Sequence, residues 1–326
     1  MSKLLKSLSP TTLAALDGLT LRARHIIEGF VAGSHRSHFQ GSSVEFSEYR
    51  EYVQGDEIRH VDWKVYGRTD KLFVKRYVDE TNLHACLVLD QSASMSYCSG
   101  NAPLEKLEYA KCVLAALAWL MLRKGDSVGV AQVDTKIQQW LPAASHIRHW
   151  DRILEVFENP HEDIESSLPN RKKRQKRQKR QKRGGPLAGT DLGSVLSDVA
   201  GRLPQRSVVV VASDFLDDLE PLLAAVEQLR LSGHDVVLFQ VLDRDEVTFP
   251  FTGNVKFEDL ELATTTELET NSVRQEYLEL FEQAQEELTS RSRNLGAGFQ
   301  CVVSDEDFGQ ALHGFLTSYA AQRRTV

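Results

Sequence analysis

Three oxygen-bearing side chains alternate directly after an apolar run, and their spacing is typical of a metal site. The run covers residues 83–89, and Asp90, Ser92 and Ser94 follow it. Such a run predicts a buried, parallel strand, and ligands in open α/β sheets bind beyond the carboxyl ends of such strands. One carboxylate and two hydroxyls suit a hard cation such as Mg²⁺ or Mn²⁺. With a single acid among its direct ligands, the cation would still accept a carboxylate from another molecule, which indicates binding rather than catalysis.

Two later segments offer further oxygen ligands near predicted strand–helix junctions. Thr190 precedes a predicted helix, where its hydroxyl can either bind the metal or cap the helix. Asp214 follows a very apolar stretch at residues 208–212, and a buried carboxylate without a partner is costly. The spacing alone favours the cap for Thr190 and leaves a metal ligand as the alternative. Asp214 should bind the metal directly or through a water molecule, which Mg²⁺ usually retains.

The elements that must position these residues alternate between strand and helix from residue 83 onward. This alternation predicts an α/β fold with a mostly parallel sheet and helices on both faces. We expect an N-terminal helix and β-rich segment over residues 1–79 and the α/β domain over residues 80–326. The predicted strands of the sheet are 83–89, 127–133, 207–212, 235–242 and 299–303. The predicted helices are 104–123, 149–157, 191–203, 219–231, 273–294 and 308–322.

A short basic segment interrupts this pattern. Ten of the thirteen residues 171–183 are Lys or Arg and none is acidic, although the whole chain has a net charge of −7. Repulsion among like charges predicts a disordered insertion, placed at residues 168–186. Polycations bind phosphate backbones without sequence specificity, but this segment lacks aromatic side chains that stack on bases. Nucleic-acid binding is therefore one alternative, beside a solvated loop and a contact with an acidic protein surface.

The composition points to an ordinary globular protein. No apolar run approaches the roughly 20 residues of a membrane helix, and the first residues lack the apolar core of a secretory signal. The four cysteines form neither a CxxC pair nor a zinc-binding spacing. We therefore expect a cytoplasmic protein with reduced thiols.

The metal-site pattern and a second block of residues together carry a family resemblance. Asp90-x-Ser92-x-Ser94, followed by Thr190 and Asp214, resembles the metal-ion-dependent adhesion site (MIDAS) of von Willebrand factor A domains. The second block is more specific and resembles the family named domain of unknown function 58, whose members have a von Willebrand A-like domain. The residues that carry it are Gly41, Glu45, Phe46, Arg50, Tyr52, Gly55, Asp56, Arg59, Asp62, Trp63, Lys64, Arg68, Thr69 and Asp70.

The resemblance implies a non-catalytic, metal-dependent interaction module, such as an adaptor or co-chaperone. Genes of this family typically neighbour those of MoxR-type AAA+ ATPases, so the implied partner is such an ATPase or its client, which supplies an acidic residue to Mg²⁺ (or Mn²⁺). The second block itself is either a salt-bridged scaffold or a partner-docking surface, since Arg and Trp are frequent interface hot spots. The candidate docking residues are Arg50, Asp56, Arg59, Asp62 and Trp63.

A phosphatase is the alternative from another functional class. Haloacid dehalogenase-like phosphatases also begin with an Asp at the end of the first buried strand, but they need a second acid two residues later to protonate the leaving group. Ser92 occupies that position here. Asp214 with Asp217 and Asp218 could still imitate the later metal-binding acids of such an enzyme. The chain has no phosphate-binding GxxxxGK[ST] motif and no GxSxG elbow.

Overall fold

The computed structural model describes most of the chain. The described residues are 10–14, 16, 18–34, 46–52, 63–69, 71–77, 83–100, 102–159, 192–216, 218–258 and 265–323. Thr190 and the predicted insertion at residues 168–186 lie outside these ranges.

Ten helices and ten strands make up the described residues. In chain order they are α1 (Pro10–Ala14), α2 (Leu19–Ser34), β1 (Phe46–Glu51), α3 (Trp63–Thr69), β2 (Phe73–Tyr77), β3 (His84–Asp90), α4 (Lys106–Arg123), β4 (Ser127–Val133), β5 (Ile137–Ala144), α5 (His149–Glu158), α6 (Leu192–Ala200), β6 (Ser207–Ser213), α7 (Leu219–Leu231), β7 (Asp235–Leu242), α8 (Arg244–Thr248), β8 (Asn254–Glu258), β9 (Thr265–Glu269), α9 (Thr270–Asn294), β10 (Gly298–Val303) and α10 (Phe308–Arg323). A short 3-10 helix, Ala93–Ser96, follows β3.

Six strands form the central sheet, in the order β10-β7-β6-β3-β4-β5. Neighbouring strands are parallel except β4 and β5, which pair antiparallel. Helices pack on both faces, so the predicted α/β class with a mostly parallel sheet is confirmed.

The side chains of strand β3 pack into the hydrophobic cores on both faces of the sheet. Successive side chains of a strand point to opposite faces. Ala85, Leu87 and Leu89 accordingly join the core that contains α4, whereas Cys86 and Val88 join the core that contains α6 and α7. All five are almost fully buried. A strand covered on both faces is apolar at every position, which is why the run was recognisable in the sequence.

The N-terminal helix belongs to the larger of two compact units. That unit contains the chain up to Gly33 and from Leu83 onward, and the smaller unit is Ser34–Asn82. The expected segment 1–79 includes residues of both units, and the apolar stripe of α2 at Leu19, Ala23 and Ile26 packs in the core of the larger unit. The stripe begins after Gly18, whose positive φ of 82° separates α1 from α2.

The smaller unit contains β1, α3 and β2. Strands β1 and β2 pair antiparallel, with Arg50 opposite Val74. The two strands agree with the β-rich segment expected from the sequence, and α3 lies between them along the chain.

Candidate functional site

The carboxyl ends of β3 and β6 are adjacent at the point where the strand order of the sheet reverses. From β3 the chain passes through α4 to β4, and from β6 it passes through α7 to β7. Helices α4 and α7 belong to the cores on opposite faces. Open α/β sheets bind ligands at such a switch point. Asp90 ends β3 and Ser213 ends β6, so both lie at this position.

The structure brings together the three residues that were predicted from their alternating spacing. Asp90 is only 2% exposed, and its Oδ1 accepts a hydrogen bond of 2.8 Å from the Ser92 backbone N–H. The hydroxyl oxygens of Ser92 and Ser94 are 3.0 Å apart. A carboxylate and two hydroxyls are thus held within one tight loop.

Ser213 is a member of the site that the sequence analysis did not select. Its hydroxyl donates a 2.6 Å hydrogen bond to Asp90 Oδ2 and accepts one of 3.0 Å from the Phe215 N–H. Phe215 has a φ of +52°, a region that non-glycine residues rarely adopt and that recurs at binding sites. The available signal was the position of Ser213 at the last residue of an apolar strand, directly before a candidate ligand.

Asp214 lies beside the site but forms an ion pair that the sequence did not suggest. Its Oδ2 is 2.8 Å from Lys106 Nζ, and the same ammonium is 2.6 Å from Glu246 Oε1. The side chain of Lys106 is fully buried and that of Asp214 is 3% exposed. Among the described residues, Asp214 Oδ1 accepts one long hydrogen bond of 3.4 Å, from the Leu216 N–H. One carboxylate oxygen of Asp214 is therefore held by Lys106, while the other remains available to a ligand.

The site carries more negative than positive charge. Burial and the charge of Asp214 raise the pKa of Asp90 to about 6, and the hydrogen bonds from Ser213 and Ser92 only partly oppose this rise. Burial, and then the charges of neighbouring acids on and before α8, raise the pKa of Tyr97 to about 12. Within the described residues, no basic side chain contacts Asp90. A cation at this edge of the sheet would compensate that charge.

The donor set fits a hard cation. Asp90, Ser92, Ser94 and Asp214 offer only oxygen ligands, which Mg²⁺ and Mn²⁺ prefer. In the part of the chain that the structure describes, no three or more His, Cys, Asp or Glu side chains cluster as metal ligands. A metal here would therefore depend on the serine hydroxyls. Thr190, the fifth predicted ligand, lies outside the described residues.

The candidate docking residues fall mostly outside the described part of the chain. The structure does not describe Asp56, Arg59 or Asp62, and it describes Arg50 only by its place in β1. Trp63, at the start of α3, is 58% exposed and meets Tyr66 edge-on with ring centroids 6.2 Å apart. The Trp63 indole is therefore a surface group rather than a core residue.

A mostly parallel sheet with helices on both faces is the fold of a von Willebrand factor A-like α/β protein. The chain is similar to the aerotolerance-related membrane protein of Bacteroides fragilis (17% identity, 73% of this chain and 99% of that chain, TM-score 0.45). It is also similar to BatB of Bacteroides thetaiotaomicron (14% identity, 74% and 99%, TM-score 0.44). A third similar structure is the VWA domain of SpRpn10 (9% identity, 71% and 94%, TM-score 0.37).

The sequence assigns the family. Residues 48–287 match the family described as "Protein of unknown function DUF58", and the chain belongs to it. A similar relative is the uncharacterized protein Rv1480 of Mycobacterium tuberculosis, which is 25% identical over 313 residues, covering 95% of this chain and 90% of the relative. The family resemblance recognised in the sequence is thereby confirmed.

The predicted cytoplasmic location is corrected by the same comparisons. The similar Bacteroides fragilis protein is described as a membrane protein, and this finding contradicts the cytoplasmic prediction. Among the described residues, no helix is both long enough and apolar enough to cross a membrane.

One of the three acids of the phosphatase alternative has a structural role. Asp218 caps α7 by accepting a 3.2 Å hydrogen bond from the Glu220 N–H. Asp214 is paired with Lys106 through one oxygen, and Asp217 lies outside the described residues. The described residues therefore give no support to Asp218 as a metal-binding acid of a haloacid dehalogenase-like enzyme.

Proposed function

We propose that this protein is a non-catalytic interaction module whose binding to a partner depends on a divalent metal at the β3–β6 switch point. The main support for the proposal is the buried position of Asp90. This residue is a buried carboxylate beside a second carboxylate, and a buried charge without a counter-ion is unfavourable. Mg²⁺ or Mn²⁺ held by Asp90, Ser92 and Ser94, with Asp214 bound directly or through water and Thr190 as a further ligand, would relieve that charge.

The ligand set determines what kind of partner fits. Two of the described ligands are neutral hydroxyls, so a bound cation keeps part of its positive charge and attracts a carboxylate from outside. The family resemblance supports a MoxR-type AAA+ ATPase or its client as the molecule that supplies this acidic residue. The role would then be that of an adaptor or co-chaperone.

Removal of the Asp90 carboxylate tests the metal-dependent contact. We expect Asp90→Ala to capture at least about tenfold less of the MoxR-type ATPase in Mg²⁺ without unfolding, because losing a charge-assisted metal ligand typically costs more than about 1.4 kcal/mol of binding. The measurement is pull-down of the purified ATPase with Mg²⁺ and with EDTA, and circular dichroism monitors folding. The control Asp235→Ala removes a carboxylate at the start of β7, at the amino ends of the parallel strands and away from the site. Equal capture by wild type and Asp90→Ala would refute a metal-bridged contact.

An exposed apolar side chain beside the metal ligands offers a second contact. Leu216 is 59% exposed and lies two residues after Asp214. We expect Leu216→Ser to weaken partner capture about threefold to tenfold, in the range for losing one apolar interface contact, while leaving Mn²⁺ affinity unchanged. Titration of each variant with the partner and with MnCl₂ separates the two effects. Leu231→Ser, at the exposed end of α7, is the matched control, and equal partner affinity of both variants would show that Leu216 makes no contact.

Catalysis and nucleic-acid binding are tested by direct assays. Metal-dependent hydrolysis of an aryl phosphate that is abolished by Asp90→Asn would replace the proposal with the phosphatase. Nucleic-acid binding rests on residues 171–183, which lie outside the described residues. Loss of salt-dependent DNA retention on deleting that segment would support it.

A further inference from the structure

Lys106 is placed where a lysine is unfavourable on two counts. It is the first residue of α4, so its positive charge lies at the positive end of the helix dipole. Its side chain is also fully buried, and removal of an ammonium from water is expensive unless excellent partners replace the water. Strong interactions must therefore compensate Lys106 for the helix dipole and for the loss of water around its ammonium.

Those interactions join the candidate metal site to the end of the neighbouring strand β7. Lys106 lies between the carboxylates of Asp214 and Glu246. Glu246 is itself fixed, because its second oxygen accepts a 2.6 Å hydrogen bond from the Asp243 N–H in the capping box of α8. The backbone carbonyl of Asp214 accepts a 2.9 Å hydrogen bond from the buried side chain of Gln240. The ammonium is therefore held on both sides by groups that cannot readily move away.

We propose that Lys106 acts as an internal cation of this site: it positions Asp214 and competes with a divalent metal for that carboxylate. The inference rests on the proposed metal-dependent function and assigns a further residue to it. Lys106 lowers the negative potential at the metal position, so the metal binds more weakly than the two acids alone would allow. A carboxylate from the partner then contributes a larger share of the coordination, which makes tight metal binding depend on the partner.

The charges around Lys106 predict effects of opposite sign. Lys106→Met retains an unbranched apolar side chain but leaves Asp214 and Glu246 both uncompensated, so the site attracts a cation more strongly. Glu246→Gln removes the second carboxylate and leaves the ammonium entirely to Asp214, so the site attracts a cation less strongly. A purely structural role of Lys106 would instead impair the site in both variants, because each disrupts the same buried network.

Calorimetric titration of the full chain with MnCl₂ tests the proposal. A unit charge a few ångströms away in a partly buried site changes the affinity for a divalent ion by about tenfold or more. We therefore expect Lys106→Met to bind Mn²⁺ at least about tenfold more tightly than wild type, and Glu246→Gln to bind it about tenfold more weakly. Lys111→Met and Glu108→Gln are matched controls, since Lys111 and Glu108 form a separate ion pair on the same helix. Both controls should bind Mn²⁺ as wild type does.

A double variant keeps the test decisive if Lys106→Met is too unstable to study. Lys106→Met/Glu246→Gln removes one charge of each sign and frees Asp214 from the ammonium, so it should bind Mn²⁺ more tightly than Glu246→Gln. Unchanged or weaker binding by folded Lys106→Met, or by the double variant relative to Glu246→Gln, would overturn the proposal while leaving the metal-dependent function intact. Absence of Mn²⁺ binding in wild type and in every variant would instead overturn the metal site itself. Binding that appears only when Lys106 is replaced would support the internal cation.

Discussion

Metal-free Asp90→Asn is expected to be more stable than wild type at pH 7.5, by about 3 kcal/mol. Burial and the charge of Asp214 raise the pKa of Asp90 from its ordinary value of 3.8 to about 6, and each unit corresponds to about 1.4 kcal/mol between the two protonation states. The amide is neutral at every pH, so it avoids the unfavourable burial of charge beside Asp214. It can also retain hydrogen bonds, because its oxygen accepts from the Ser92 N–H and the Ser213 hydroxyl can accept as well as donate.

The effect has a defined pH window. Because the pKa of Asp90 is higher in the folded than in the unfolded state, the folded state binds more protons between about pH 4 and pH 6. The unfolding free energy of wild type therefore falls as the pH rises through that window, and the advantage of Asp90→Asn is absent below it and complete above it. Urea unfolding at pH 4 and pH 7.5, with Asp235→Asn as the control, measures this difference. A variant less stable than wild type at pH 7.5 would contradict the expectation.

Addition of Mg²⁺ should reduce this difference in stability. The ion compensates the Asp90 charge in wild type and so raises its unfolding free energy, whereas the amide offers a weaker ligand. Stability and binding thus oppose each other at this position, as expected where a buried charge serves a site rather than the fold.

Gly193→Ala is expected to destabilise the protein by about 3 kcal/mol, at the upper end of the range for overpacked positions. A Cβ atom at position 193 would overlap with the backbone carbon and oxygen of Pro221, and these backbone atoms cannot rotate away as a flexible side chain could. Helices α6 and α7 must therefore move apart, which opens the core on that face of the sheet. This loss exceeds the gain of about 1 kcal/mol that alanine brings to a helix.

A second glycine next to α6 provides the control for Gly193. A Cβ atom at Gly201 would come no closer than 3.6 Å, to the Asp198 carbonyl, so Gly201→Ala should change the stability by less than about 1 kcal/mol. Thermal and urea unfolding of both variants give the comparison. Equal stability of the two would mean that α6 and α7 tolerate the added methyl group.

The sequence was sufficient to predict the sheet because its parallel strands are buried on both faces. The stretch at residues 207–212, for example, is apolar at all positions but the first, and it became β6 with every residue buried. Helices whose limits depend on a single residue, or that are very short, were harder to predict from the sequence. The N-terminal helix expected from the sequence is divided at Gly18 into α1 and α2, and α8 has only five residues, too few to show a helical period.

Site residues that are close together in the sequence could be predicted, whereas contacts between distant parts of the chain could not. Asp90, Ser92 and Ser94 follow one another within a single loop, so their spacing was visible in the sequence. The ion pair between Lys106 and Glu246 spans 140 residues, and no local pattern in a single sequence encodes such a contact. The cytoplasmic prediction was wrong because it rested on the absence of an apolar run, and an absent run carries no information on where a protein resides.

The buried position of Lys106 has a consequence for how this sequence can diverge. Loss of the ammonium alone leaves two carboxylates in a region with little water, and breaking such a buried pair typically costs about 3 to 5 kcal/mol. A total stability of about 5 to 15 kcal/mol leaves little room for that intermediate. Lys106, Asp214 and Glu246 are therefore expected to be inherited together or replaced together, so that a family alignment would show correlated substitution at these three positions.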